Sequence, residues 1–298
     1  MNIRNHIEYG AVVALLGLCR LLPERLIHSL FTSLAKLMHA LLGSRRRMAL
    51  QNMEIAFPEK TDAERKSLVK QAFVHLADSM TLNTLITSGR ISNKRLLDCV
   101  ETEGWERFEA ALDNEEGKGV LFISGHLGNW ELMPQYVALR RKKPVHVIAR
   151  KSNNTLMEDR VVRPLRERFG VTVFYKKNAM MRILKAVKRH ETTGLLIDQR
   201  LNLRQGVPCN FFGRTTGTTG TPALLQIRYG IDVIPVFMIK TSPMKYRMTF
   251  GESVAWTDNG KPMEEQVIEL TQIHQKLIED AIRIHPEQWF WMHNRWGI

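Results

Sequence analysis

VLFISGHLGNWEL, residues 120–132, is the stretch on which the fold turns. VLFIS (120–124) is a short apolar run, the mark of a strand buried on both faces of a parallel sheet. Gly125 ends the run and permits a sharp turn. His126 follows, Leu127-Gly128-Asn129 makes a loop, and Trp130 opens a helix with Glu131 in its first turn. At this spacing the Glu131 carboxylate can reach back to the imidazole and fix its tautomer. The other ring nitrogen is then free to act as a general base. The backbone N–H groups of Gly128 and Asn129, at a helix N-terminus, suit an anion or an oxyanion. No GxSxG and no Cys lies in the segment, so the expected attacking group is a substrate hydroxyl. The competing structural reading is a buried histidine beside a helix-capping glutamate.

The texture on either side of this stretch fits a parallel sheet. Strands are predicted at 145–150, 171–175, 194–199, 233–239 and 246–253, with helices over 132–141, 156–168, 180–189, 221–230 and 263–284. Thr221 and Pro222 read as N-cap and first residue of their helix, and Gly230 as its stop. Upstream, helical spacing covers 61–88, with Thr61 and Glu64 as a capping box, and a further helix covers 104–116. The alternation argues an α/β fold: a mostly parallel central sheet flanked by helices, behind a helical lead-in. In such sheets ligands bind beyond the carboxyl ends of the strands, where His126 falls. Polar groups stand at other strand ends too. Arg150, Lys151 and Asn153 follow the second strand, and Asp198-Gln199-Arg200 the fourth. Asp198 reads either as a partner for a cation or the histidine, or as a turn residue. Arg160, Arg163, Arg166 and Arg168 read as a helix face turned to a phosphate, or as a solvated helix.

The 298 residues carry a formal charge of +13. Residues 140–189 hold sixteen Lys or Arg against three Asp or Glu, which is the whole of that charge. A belt placed directly after His126 and Glu131 implies an anionic partner. Nucleic acid is disfavoured, because no binding module is recognisable and the tryptophans do not interleave with the belt. Three widely spaced cysteines, Cys19, Cys99 and Cys209, argue against a disulfide framework and fit a reducing compartment. HExxH and paired-Cys spacings are absent, so no metal is expected.

At the N-terminus, AVVALLGLCRLL (11–22) and LIHSLFTSLAKLMHALLG (26–43) are apolar stretches joined at Pro23 and followed by SRRRMALQN (44–52). Each is short or interrupted for a spanning helix, and no cleavage site marks a signal peptide. Residues 1–44 therefore read as a helical segment associating with a membrane, ahead of a catalytic domain over 45–298.

Five motifs now stand in one order: GHLGNWEL (125–132), IARKSNNTLMEDRVVRPLRERFG (148–170), LLIDQRLNLRQGVPCNFFG (195–213), TPALLQIRYGIDVIPVF (221–237) and PEQWFWMHNRW (286–296). Together with NMEIAFPE (52–59) they resemble the bacterial lipid A late (lauroyl/myristoyl) acyltransferases over nearly the whole chain. The first motif alone is shared with glycerophosphate acyltransferases, whose fold is then expected. The resemblance implies an inner-membrane enzyme at the cytoplasmic face. It would move an acyl chain from acyl carrier protein, as thioester co-substrate and without another cofactor, to a hydroxyl of a Kdo-bearing lipid A precursor. No covalent acyl-enzyme is implied. His126 and Glu131 match the family's catalytic pair. Gly128 and Asn129, then Arg150, Lys151, Asn153 and Arg163, and finally Asp198, match positions expected to bind substrate. The family often has Asn-Pro where this chain has Asn153-Asn154-Thr155. The nearest alternative is the same chemistry on another membrane lipid, a glycerophospholipid or an aminolipid. A non-catalytic membrane scaffold is the alternative of a different class.

Overall fold

The computed structural model describes residues 3–113, 118–175 and 178–297. Helices come first: α1 (Ile3–Leu21), α2 (Glu24–Leu41), α3 (Gly43–Ala56), α4 (Asp62–Thr87) and α5 (Asn93–Asp98). Then β1 (Val100–Glu103), α6 (Trp105–Leu112), β2 (Leu121–Ser124), α7 (Leu132–Arg141) and β3 (Val145–Ala149) alternate. A bent helical segment follows: α8 (Thr155–Met157), a wider π turn at Glu158–Val162, and α9 (Arg163–Glu167). The chain continues as β4 (Val171–Tyr175), α10 (Ala179–Val187), β5 (Thr192–Leu196), β6 (Val207–Phe211), β7 (Arg214–Thr218) and α11 (Thr221–Tyr229). It closes with β8 (Val233–Ser242), β9 (Lys245–Phe250), α12 (Met263–Ile284) and a 3-10 turn at Pro286–Gln288.

Seven strands form one sheet in the order β1-β9-β8-β2-β5-β3-β4. β8, β2, β5, β3 and β4 are parallel neighbours, as the buried apolar runs predict. β9 turns back antiparallel on β8, and β1 pairs parallel with β9. β2 lies at the centre with all four residues buried. Its residues alternate between two cores: Phe122 joins Phe108, Tyr136 and Phe250 on one face, and Leu121 and Ile123 join Ile183, Ile278 and Trp291 on the other.

Several local expectations hold. Thr61 and Glu64 form a reciprocal capping box, and α12 spans the predicted residues. Gly230 closes α11 in the left-handed region. Others need correction. The N-cap of α11 is Gly220, so Thr221 and Pro222 are its first two helical residues. Most of TTGTTGT (215–221), where only the helix start at Thr221 was predicted, is β7, hairpinned with β6 against α12. β1 and α3 carried no clear period and were not foreseen. The predicted helix over 104–116 is observed as α6, and its predicted end at 114–116 lies outside the described residues.

The N-terminal helices share the main core rather than standing apart. Cys19 of α1 and Ile27, Phe31 and Ala35 of α2 pack with Ala77, Leu82 and Leu85 of α4. The opposite faces stay exposed, with Ile3, Ile7, Leu18, Leu21 and Leu41 each about half accessible or more. Among the described residues no single helix is long and apolar enough to cross a membrane. α2 and α3 reach that length and composition only as a pair bent by 85°. All three cysteines are free and buried.

Candidate active site

The register of two adjacent parallel strands builds the centre of the site. Ser124, the last residue of β2, pairs with Leu196, the last residue of β5. Two residues beyond each lie His126 and Asp198, so both side chains emerge together at the carboxyl edge of the sheet. His126 Nδ1 and Asp198 Oδ1 are 2.8 Å apart, and the His126 backbone N–H donates to Asp198 Oδ2 at 2.8 Å. The Trp289 indole N–H donates to the same Oδ2 at 2.8 Å. Asp198 is therefore fully enclosed, with its side chain 1% exposed, and each of its oxygens is hydrogen-bonded.

This placement tunes both groups. Burial alone would raise the Asp198 pKa, but the charge and hydrogen bonds of His126, with Trp289, outweigh it and hold the carboxyl at about 2. Burial likewise pushes the His126 imidazole down. The charge and hydrogen bond of Asp198, helped by the charge of Glu131, outweigh that push and leave its pKa above the ordinary value. An ionised Asp198 accepts a hydrogen bond from the Nδ1–H and so directs Nε2 outward. Gln199 Nε2 lies 3.2 Å from His126 Nε2, on the side where a hydroxyl would present its proton. Trp130 and Phe290 wall the imidazole, with ring centroids 5.2 and 6.4 Å away.

Glu131 does not hold His126. Its carboxylate is gripped by the Arg166 guanidinium in a two-pronged ion pair, with Arg166 Nε 2.9 Å from Glu131 Oε2. The physical reason is where the helix starts. Residues 130 and 131 form a turn and α7 begins at Leu132, so Glu131 faces α9 rather than the strand end. Its charge still reaches the imidazole, raising the His126 pKa, while Arg166 lowers it.

The loop amides also differ from expectation. The Gly128 N–H donates to Gln288 O at 3.0 Å and the Asn129 N–H to Met238 O at 2.9 Å, so neither is free for an oxyanion. Gly128 has φ of +62°, and a Cβ there would stand 1.9 Å from Met238 O. Only glycine allows the loop to lie on β8 so closely. Gly125 serves space rather than a special φ: its Cβ would meet Ile278 and Asp198 at 3.1 and 3.3 Å.

The remaining basic candidates scatter. Arg150, Lys151 and Asn153 are exposed, and the neighbouring Asn154 is the structured residue. Asn154 caps α8 and donates to Asn5 O and Glu8 of α1 at 3.0 and 3.1 Å. Arg163 pairs with Asp159. Of the four arginines in 160–168, Arg166 alone reaches the site, beside Glu131. Arg166, Gln199 and Trp289 were not expected there. The sequence signal for Gln199 was its place next to Asp198 at a strand end. For Trp289 it was only the C-terminal motif.

A cavity of about 580 Å³ opens at Asn129, Trp130 and Glu131 and runs between α2 and α4. Its walls are chiefly apolar, with Phe31, Leu34 and Met38 on one side and Phe73, Leu76 and Met80 on the other. Among the described residues no group of three or more His, Cys, Asp or Glu could hold a metal ion.

A His–Asp pair at the edge of an α/β sheet, hydrogen-bonded among the described residues to no serine or cysteine, with an apolar cavity beside the aromatic rings that flank the imidazole, has the parts of an acyl-transfer site. The chain belongs to the bacterial lipid A biosynthesis acyltransferase family, whose model matches residues 3–297. It is accordingly an acyltransferase. It is 24% identical to a lipid A biosynthesis palmitoleoyltransferase of Escherichia coli over 92% of this chain and 86% of that protein. It is 23% identical to a lipid A biosynthesis lauroyltransferase of the same organism, over 95% and 89%. A lipid A biosynthesis acyltransferase of Haemophilus influenzae is 24% identical over 83% and 74%.

Proposed function

We propose that this chain transfers a fatty acyl group from acyl carrier protein to a hydroxyl of a Kdo-bearing lipid A precursor, at the cytoplasmic face of the inner membrane. The observation that carries the reading is the His126–Asp198 pair, whose imidazole is flanked by Trp130 and Phe290, two residues that also line the apolar cavity. The acceptor hydroxyl gives its proton to His126 Nε2, in the place now taken by Gln199. Its oxygen attacks the thioester carbonyl. The carbon–sulfur bond breaks, and the thiolate leaves with the proton held by His126. Asp198 stabilises the imidazolium between these two transfers. The donor's acyl chain lies along Phe31, Leu34 and Leu76, where apolar burial favours it by about 0.8 kcal/mol per methylene. Glu131 borders the apolar cavity and is ion-paired to Arg166 in the adjoining crevice, and the basic belt meets phosphate and carboxylate groups. The exposed apolar faces of α1 and α2 support contact with a bilayer.

The test uses detergent-purified protein, lauroyl- or myristoyl-acyl carrier protein and a Kdo-modified tetra-acylated precursor, followed by mass spectrometry. One added acyl group, absent with His126→Ala, is expected. No added mass with any acyl donor would remove this acceptor and turn the search to glycerophospholipids and aminolipids.

A further inference from the structure

The seam between α1 and residues 154–168 is closed at one end and open at the other. At the closed end Asn154 donates to Asn5 O and Glu8. At the open end lies a second cavity of about 330 Å³, lined by Leu16, Gly17 and Arg20 of α1 and by Arg160, Leu165 and Arg168 opposite. It shares no lining residue with the cavity between α2 and α4. Arg166 of the same segment lines the crevice at Glu131 instead.

The chemistry of this cavity is mixed in a particular way. Three exposed arginines line it, and among the described residues none has a carboxylate partner; Arg168 stacks over Phe169 at 5.3 Å. The wall between them is apolar, and it continues onto exposed surface at Val13, Leu18 and Leu21. A free anion would leave the apolar wall unexplained, and an apolar chain alone would leave three unpaired cations. An amphiphile with one anionic head satisfies both.

We propose that an anionic membrane phospholipid occupies this cavity, its phosphate held by Arg20, Arg160 and Arg168 and one acyl chain along Leu16 and Leu165. The bound lipid completes the seam that Asn154 begins and fixes α1 against the segment that carries Arg166. The proposal rests on the bilayer location read above, but not on the acyl-transfer reaction.

Native mass spectrometry of the full chain, released from micelles doped with phosphatidylglycerol, tests it. One retained lipid per chain is expected. Arg160→Glu with Arg168→Glu should weaken retention at least tenfold, while Arg204→Glu with Arg214→Glu, the same charge change elsewhere, should not. Gly17→Leu gives a variant without a charge change. A Cβ at Gly17 meets nothing within 4 Å, so the new side chain enters the cavity and should also expel the lipid. Equal loss in both charge-reversed pairs would overturn the proposal in favour of general surface attraction. Retention in the Gly17→Leu protein, or equal retention of phosphatidylcholine, would also overturn it. Displacement of the lipid by equimolar lipid A precursor would reassign the cavity to the acceptor.

Discussion

The two carboxylates nearest His126 live in opposite surroundings. Asp198 stands on a strand end with its side chain 1% exposed, held by His126 and Trp289. Glu131 stands on a turn, 26% exposed, held by Arg166 from another helix. The difference follows from how each is positioned. A parallel-sheet register fixes Asp198 beside His126 whatever the helices do. Glu131 depends on where α7 begins and on what α9 offers. The strand-end group is thus suited to orient the base. The helix-side group acts on it at longer range, through charge.

This contrast can be broken by mutation, and the effects should fall in order. His126→Ala should lower kcat/KM by about 10²–10⁴-fold, the range expected for losing a general base, as read by acyl transfer under initial-rate conditions. Asp198→Asn should cost nearly as much, about 10²-fold or more, because it removes the group that fixes the tautomer. It should also move the ascending limb of the pH–rate profile to lower pH, since Asp198 raises the His126 pKa. In the wild type that limb should lie above the ordinary imidazole value of about 6.5. Acid stability carries the same signature. The Asp198 carboxyl, held at about 2, contributes fully above the unfolded aspartate pKa and loses its contribution as pH falls toward 2. That loss should be missing from the Asp198→Asn denaturation curve.

The helix-side pair should give smaller effects of opposite sign. Glu131→Gln removes a charge that raises the His126 pKa, so the limb should shift down. Arg166→Ala removes one that lowers it, so the limb should shift up. A shift in the same direction for both would mean that the pair acts only through structure. Leu34→Trp, at a residue that lines the cavity and is 39% exposed, should cut the rate for long acyl donors more than for short ones. The discrimination expected is about 0.8 kcal/mol per excluded methylene. Smallest of all, Arg150→Ala and Lys151→Ala should change activity by no more than about threefold, because both side chains are exposed surface charges.

What was legible in the sequence follows the same division. The apolar run at 120–124 is buried on both faces and those at 145–150 and 171–175 are partly so, with Arg150 and Thr172 exposed; short apolar runs alternating with helical segments identify all three as strands. His126 was legible because a lone polar ring directly after such a run lies at the sheet's binding edge. Asp198 was visible as a strand-end residue with the histidine among its possible partners, but the sequence did not decide between the histidine, a cation and a plain turn. Pairing His126 with Asp198 needs the order β2-β5, and that order is a tertiary fact. Nearness in sequence points to Glu131 as the partner of His126. Arg166, 35 residues away, overrules that inference. Likewise the amides of Gly128 and Asn129 looked free until β8 and the turn before Trp289 claimed them. The apolar cavity between α2 and α4 was illegible for a simpler reason: residues that line a groove and residues that fill a core have the same composition.

The orientation of the His126 imidazole by Asp198, and not by Glu131, has a direct measurement. In protein labelled with ¹⁵N-histidine, the His126 Nδ1–H should give a strongly downfield proton resonance, attached to a nitrogen protonated at Nδ1. This signal should persist in Glu131→Gln and disappear in Asp198→Asn. Its loss in Glu131→Gln together with survival in Asp198→Asn would show that Glu131, and not Asp198, holds the imidazole.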